Sequence, residues 1–205
     1  PPLAPTPTGY LWEIVSGGQY CHVTNGGTCV TDGAGLHGNN EACTIRATTN
    51  LVVSATYFDT ESCCDRLTIA GTRYSGTNGP SSMIMRASNE MYWYADRSVV
   101  RGGFVVCATI YHLLERGSCS TPVTSMAECA QAASVLALSD VTPMDDRQNG
   151  VSYDPPHCYS EGGVLKLNVG GTNTGTCTSI DRCLCQGAEP LSPPPSPPPP
   201  PPSPP

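Results

Sequence analysis

The amino-acid sequence predicts a mainly β protein: an antiparallel β-sandwich, then a small disulfide-rich α+β module and a polyproline II tail. Short runs of β-branched and aromatic residues alternate with Gly, Asn and Asp, which is typical of strands joined by turns. The chain also has 12 cysteines and 21 prolines, and most of the prolines lie at its two ends. Because cytosolic thiols are kept reduced, the cysteines favour secretion into an oxidising compartment.

Composition and cysteine spacing predict four regions. They are a proline-rich segment at 1–9, a β-sandwich at 10–112, a cysteine-rich module with one helix at 113–189 and a polyproline II tail at 190–205. The cysteines of the sandwich are Cys21, Cys29, Cys43, Cys63, Cys64 and Cys107, and those of the second module are Cys119, Cys129, Cys158, Cys177, Cys183 and Cys185. Since each count is even, each module is able to close its disulfides internally.

In the first module, candidate strands lie at 11–15, 28–31, 43–47, 51–57, 66–70, 83–86, 91–94 and 103–110. Turn-forming residues separate them, as at 25–27, 38–40 and 78–80. Apolar residues do not recur at helical spacing over ten residues anywhere in this module. Many short strands separated by turn-forming residues therefore predict an antiparallel sandwich.

In the second module, Ser125 and Glu128 form a capping box before apolar residues at helical spacing, which predicts a helix to about Leu138. Apolar residues alternate with other residues at 163–169, which predicts a strand. The Asp-rich segment around 140–149 is interpreted as a solvated loop. Cys183 and Cys185 near a histidine are compatible with zinc, but the even number of cysteines in a secreted chain favours disulfides.

Charge and motif content exclude several classes of function. A net charge of −7 without a basic cluster argues against nucleic-acid binding, and no apolar run is long enough to span a membrane. The four histidines are scattered, and no nucleophile or metalloprotease motif is present. We therefore expect no enzymatic activity and identify no catalytic residue.

A family resemblance rests on five ordered segments of the first module. They are 38–45 (GNNEACTI), 58–61 (FDTE), 65–69 (DRLTI), 74–76 (YSG), and 94–99 (YADRSV) followed by 102–104 (GGF). Together they resemble CUB domains over about ninety residues. The resemblance implies a CUB-like β-sandwich and a calcium ion held by Glu61, Asp65 and Asp96.

The sequence departs from the CUB pattern at two places. The family's Ser-Pro-Asn-Tyr-Pro stretch, whose tyrosine supports the acids, is 31–35 (TDGAG) here, and Cys64 replaces the aromatic residue before the second acid. These departures leave a solvated acidic loop without metal as the alternative. Independently of the family, three converging carboxylates would suit calcium, which prefers hard oxygen ligands.

The resemblance also implies disulfides. It pairs Cys21 with Cys43, and it places Cys29 and Cys107 on strands where the family has apolar residues, so we expect these two to pair across the sheet. Cys63 and Cys64 then form either a vicinal disulfide or links elsewhere. Fifteen connectivities are open to the second module.

The tail at 191–205 (LSPPPSPPPPPPSPP) is read by composition as a spacer or linker. Its Ser-Pro blocks also resemble the hydroxyproline-rich glycoproteins of green algae and plants, in which such prolines carry O-linked arabinose or galactose. The resemblance implies O-glycosylation at Ser192, Pro193, Pro194, Pro195, Ser196, Pro197, Pro198, Pro199, Pro200, Pro201, Pro202, Ser203, Pro204 and Pro205.

Two functions remain. The first is a structural subunit of an extracellular glycoprotein fibre or matrix, in which the tail runs along another copy and a head-to-tail contact builds an open filament. Aromatic faces suit polyproline ridges, so the expected tail-binding residues are Tyr10, Trp12, Tyr92, Trp93 and Tyr94. The alternative is a secreted calcium-dependent adhesion or recognition module that binds a protein or glycan. The second module resembles cysteine-rich domains that accompany CUB-like domains in algal and other protist cell-surface proteins, which suggests no further function.

Overall fold

The computed structural model describes residues 10–188, so the proline-rich segment at 1–9 and the expected polyproline II tail with its glycosylation sites at 192–205 lie outside the described residues. The described part is mainly β, which confirms the predicted β-sandwich followed by a disulfide-rich module. Within residues 10–188, no helix has the length and apolarity that crossing a membrane requires.

The first module is a sandwich of two five-stranded antiparallel sheets. One sheet has the order β1-β4-β9-β6-β7 and the other β2-β3-β10-β5-β8. The strands are β1 (Trp12–Ser16), β2 (His22–Thr24), β3 (Cys29–Thr31), β4 (Ala42–Ala47), β5 (Leu51–Asp59), β6 (Arg66–Ile69), β7 (Thr72–Tyr74), β8 (Met83–Met85), β9 (Glu90–Tyr94) and β10 (Gly103–Thr109), with a 3-10 helix at Asn25–Gly27. The sequence missed β2 and β7, which have three residues each.

The core between the sheets follows from strand alternation. In β9, Met91 and Trp93 are buried while Tyr92 is exposed, because successive side chains point to opposite faces of a strand. Trp93 packs against Phe104 of β10 with ring centroids 5.3 Å apart. Contacts of this kind join the inner faces of the two sheets.

The disulfides of the sandwich are the pairs that the sequence led us to expect. Cys21–Cys43 joins the segment before β2 to β4, and therefore connects the two sheets. Cys29 and Cys107 lie directly opposite one another on β3 and β10. Cys63–Cys64 is a vicinal disulfide, the first of the two alternatives.

The second module is a mixed sheet with one helix. Its strands are β11 (Tyr111–Leu114), β12 (Met144–Asp145), β13 (His157–Glu161), β14 (Val164–Asn168) and β15 (Asp181–Gln186), in the order β11-β15-β13-β14-β12, and β12 runs parallel to β14. The helix α1 spans Met126–Val135. Disulfides join Cys119 to Cys185, Cys129 to Cys158 and Cys177 to Cys183, so α1 is attached to β13.

The boundary between the modules lies at Ile110, earlier than the predicted boundary after residue 112. Tyr111 pairs with Gln186 and Leu114 with Cys183, so residues 111 and 112, which the sequence assigned to the sandwich, belong to a strand of the second sheet. Only Ile110 separates β10 from β11. Sequence alone did not reveal this pairing because the partner strand lies about seventy residues further along the chain.

Helix α1 begins and ends with satisfied backbone groups. The Ser125 hydroxyl accepts a hydrogen bond from the Glu128 N–H, as predicted, but the Glu128 carboxylate accepts from the Tyr111 hydroxyl instead of completing the capping box. Burial, followed by the nearby Glu128 charge, raises the pKa of Tyr111 to about 12. At the other end, Leu138 N–H donates to Ala133 and Ala137 N–H to Ser134, the pattern of a Schellman motif.

The first module caps the helix of the second. The Arg86 guanidinium donates to the carbonyls of Val135 (2.9 Å) and Ser134 (3.0 Å), and the Asn50 amide also donates to Val135 (3.2 Å). A positive charge at this end also interacts favourably with the negative end of the helix dipole. Since the last carbonyls of a helix have no partner within it, these bonds hold the two modules together.

We expect Arg86→Ala to lower the free energy of unfolding by about 1–2 kcal/mol, because the helix end loses hydrogen bonds to a charged group and a favourable dipole contact. Arg86→Lys keeps the charge but loses the forked geometry, so its effect should be intermediate. Chemical denaturation of the full chain measures both. Unchanged stability in Arg86→Ala would show that the cap does not couple the modules.

Candidate metal centre

Three carboxylates meet at one end of the sandwich. Glu61 and Asp65 belong to the loop that joins β5 to β6, and Asp96 follows β9. One carboxylate oxygen from each lies within 4.8 Å of the others. The structure therefore brings together the acids that the CUB resemblance singled out.

Asp65 organises this cluster. It is fully buried, and its Oδ1 accepts a hydrogen bond from the Asp96 N–H (2.9 Å). Its Oδ2 accepts from the Glu61 N–H (3.3 Å). Both donors are backbone groups of the other two acids, so one carboxylate fixes the positions of the remaining ligand candidates.

The other two carboxylates differ in how well they are satisfied. Asp96 Oδ1 accepts from the Ser98 N–H (2.8 Å) and the Ser98 hydroxyl (3.1 Å). Glu61 Oε2 is buried and has no hydrogen-bond partner. Because buried polar atoms are normally paired, an orphaned carboxylate oxygen beside two other acids indicates a place for a cation.

His37 supports the cluster, and the sequence did not identify it. Its Nε2 lies 3.2 Å from Asp65 Oδ2 and also 3.1 Å from the Arg101 N–H, while Nδ1 contacts the Gly38 carbonyl (3.1 Å). If Nε2 accepts from Arg101, no proton lies between it and Asp65. We favour this arrangement because Nδ1–H is then free to donate to Gly38. A cation at Asp65 would offset the resulting repulsion between two electron-rich atoms.

His37 lies just after the stretch in which the chain departs from the CUB pattern. The missing tyrosine would fall in 31–35, and His37 follows that stretch closely. The His37 ring is buried edge-on to Trp93, with centroids 5.4 Å apart. The only sign of this role in the sequence was that a histidine follows the stretch 31–35, which differs from the CUB pattern.

The same end of the sandwich contains another buried acid, Asp32. Its Oδ1 accepts from the Phe104 N–H (2.8 Å), whereas its Oδ2 is buried without a partner. Burial raises the pKa of Asp32 to about 6, and the Glu41 charge adds to the effect, while the hydrogen bond from the Phe104 N–H opposes it. Gly103 has φ +76°, and a Cβ there would meet Asp32 Oδ2. Glycine is therefore required where this carboxylate packs against the backbone.

Exposed apolar side chains lie in the two loops beside the cluster. Leu36 is 69% exposed, and Val99 and Val100 are 47% and 41% exposed. The His37 N–H donates to the Arg101 carbonyl (2.8 Å), which ties the two loops together. Val99 also has φ +52°, a conformation that β-branched residues rarely adopt. The structure thus presents an apolar loop pair next to the acids.

A second acidic group lies in the cysteine-rich module. Oxygens of Asp154, Glu161 and Asp181 also lie within 4.8 Å of one another. Here, however, Lys166 pairs with Glu161, whose hydrogen bond is the main cause of the raised pKa of Lys166. The lysine supplies the positive charge, so this group is a weaker candidate for a metal.

The interpretation of the Asp-rich segment as a solvated loop is wrong in part. Asp146 accepts hydrogen bonds from the Tyr159 hydroxyl (3.1 Å) and the amides of Asn168 (3.2 Å) and Asn173 (3.1 Å). Burial, with the charges of Asp146 and Asp154, raises the pKa of Tyr159. The segment is anchored because its carboxylates satisfy polar groups of the module's interior.

The prediction that Trp12 and Trp93 bind the tail is wrong. Trp12 and Trp93 are 1% and 0% exposed, because they fill the sandwich core, so they offer no surface to a polyproline segment. Tyr10 and Tyr92 are 43% and 40% exposed. Tyr94 is partly buried beneath the Arg66 guanidinium, which lies 4.6 Å from its ring centroid.

No family model matches this chain, and no curated protein matches it.

We expect Asp32→Asn to stabilise the protein at neutral pH. The folded-state pKa of Asp32 is raised from 3.8 to about 6, so the charged form opposes folding and stability falls as pH rises through this interval. An amide cannot ionise, and the gain should be at most about 3 kcal/mol. Denaturation between acidic and neutral pH, in chelator, measures it. Asp145→Asn, at an exposed acid, is the control. An unchanged pH dependence in Asp32→Asn would contradict this expectation.

Proposed function

We propose that the described part of the chain is a non-enzymatic, calcium-dependent recognition module of CUB type within a secreted proline-rich glycoprotein. The observation that carries the proposal is that Glu61, whose buried Oε2 has no hydrogen-bond partner, has a carboxylate oxygen within 4.8 Å of oxygens of Asp65 and Asp96. Six disulfides are consistent with the oxidising compartment that secretion provides.

Calcium suits this cluster better than magnesium. The ligand candidates are carboxylates arranged by a loop and a strand end, and calcium accepts six to eight oxygens in irregular geometry. Magnesium requires near-ideal octahedral geometry and keeps several waters. Backbone carbonyls near Ser98 and water would complete the calcium shell.

The partner is a protein or glycan that contacts the apolar loops. Leu36, Val99 and Val100 lie in the loops beside the acids, and calcium at Asp96 would hold the loop that carries both valines. Binding would then depend on calcium because the ion orders the contact surface. Exposed apolar side chains grouped in this way are typical of interaction sites.

Calcium should raise the melting temperature of the full chain by about 5–10 °C when it is present at about 100 times its Kd. Asp96→Ala should abolish this rise, because it removes one ligand and the loop contacts to Ser98. Asp145→Ala, which removes an exposed acid of the second module, should leave the rise intact. Melting in calcium, magnesium and chelator measures all three, and a wild-type chain that melts equally in calcium and chelator would defeat the proposal.

A second function, a structural subunit of an extracellular fibre or matrix, is favoured by a cavity at the module junction. This open cavity of about 330 Å³ is lined mainly by apolar groups, including Leu11, Ala108, Ile110 and Ala188. The exposed Tyr10 lies beside it, packed over Gly27. Apolar surface next to a tyrosine suits a polyproline segment, so we propose that the tail of a second copy binds here.

Tyr10→Ala should weaken self-association of the full, natively modified chain by about tenfold, because an aromatic contact is lost. Tyr10→Phe keeps the ring and should associate like the wild type. Sedimentation at several concentrations measures both, and glycopeptide mapping of 192–205 tests the modification. A native protein that sediments as a monomer throughout would exclude the structural role.

A further inference from the structure

The loop between Glu61 and Asp65 contains the disulfide Cys63–Cys64. The Sγ atoms of both cysteines and a carboxylate oxygen of Glu61 lie within 4.8 Å of one another. Two sulfurs and a carboxylate in this arrangement are a different ligand set from the three acids, although Glu61 belongs to both.

This disulfide is the one most accessible to a reductant. Cys63 is the only exposed cysteine of the twelve. Each of the other five disulfides contains at least one buried cysteine. Because thiol–disulfide exchange requires access to sulfur, a mild reductant should open Cys63–Cys64 first.

Opening it should leave the fold intact. A disulfide between adjacent residues closes the smallest possible loop, so it restricts the unfolded chain least. The sandwich keeps Cys21–Cys43 and Cys29–Cys107, and the second module keeps its own three disulfides. The loop 61–65 is also closed by the hydrogen bond from the Glu61 N–H to Asp65.

We propose that reduction of Cys63–Cys64 creates a site for a thiophilic divalent cation such as zinc or cadmium, with Cys63, Cys64 and Glu61 as ligands. Thiolate sulfur is a soft ligand that selects such cations over calcium. Three protein ligands and water complete a tetrahedral shell. The cation also offsets the negative charge that two thiolates add beside the acids.

The exchange balances with a dithiol reductant. Two electrons pass from the dithiol to the Cys63–Cys64 bond, which breaks as the reductant closes its own disulfide. The two protons of the dithiol end on Cys63 and Cys64, and they leave when the divalent cation binds the thiolates.

The two metal sites exclude one another because both need Glu61. Reduction followed by zinc binding would therefore release calcium from Asp65 and Asp96. This exclusion rests on the proposed calcium site, whereas the thiophilic site itself does not.

The test begins with brief treatment of the full chain with a dithiol, removal of the reductant under inert gas, and peptide mapping of the freed thiols. Titration with cadmium alone follows, because thiolate–cadmium bonds absorb in the ultraviolet. We expect labels at Cys63 and Cys64 only, and cadmium binding at least about 100-fold tighter than in the untreated chain. Glu61→Gln, reduced in the same way, should bind about tenfold more weakly.

The matched control is the double variant Cys63→Ser with Cys64→Ser, which keeps the other five disulfides. If this variant does not fold, the reduced wild type alkylated at both thiols replaces it. Cadmium affinity in the reduced chain equal to that of the control would overturn the proposal, as would first labelling at any other cysteine. Calcium binding to the untreated chain is measured in parallel, so its failure would remove only the exclusion and the calcium function.

Discussion

The buried carboxylate of Asp65 is the constraint on which the acidic end of the sandwich depends. It accepts hydrogen bonds from the N–H groups of Glu61 and Asp96, so it joins the loop before β6 to the loop after β9. A buried charge is costly unless it is compensated, and here two backbone donors compensate it. The cluster is therefore assembled by the fold itself, with the ligand geometry set before any cation binds.

The distribution of unsatisfied polar atoms separates this cluster from the polar interior of the second module. Among the described residues, the buried side-chain atoms without partners are Asp32 Oδ2, Glu41 Oε2, Glu61 Oε2 and Trp93 Nε1, all in the first module. In the second module, Tyr159, Asn168 and Asn173 are bonded to Asp146, and Lys166 to Glu161. A fully bonded network rigidifies a core, whereas unpaired buried groups need a ligand or a functional reason.

The sequence was sufficient for the features that depend on local pattern. Alternation and turn residues located most strands of the sandwich, and the resemblance to CUB domains singled out Glu61, Asp65 and Asp96. Prediction from sequence failed where tertiary contacts determine the structure. Strand β11 forms only because 181–186 pairs with it, and His37 matters only because the fold places it next to Asp65. The prediction that Trp93 binds the tail failed for a different reason. The alternation of β9 already placed Trp93 on the face opposite Tyr92, toward the core.

The candidate metal centre and the module junction lie at opposite poles of the sandwich. Strand β5 has nine residues and therefore extends about 30 Å. Asn50, just before it, bonds to helix α1, whereas Glu61 lies just beyond its other end. The described chain also begins and ends near the junction pole, since Leu11 and Ala188 line one cavity there. The acid cluster with its apolar loops thus lies at the pole opposite Leu11 and Ala188. The proposed recognition site and the proposed tail-binding cavity therefore occupy different surfaces, so the two proposed functions are compatible.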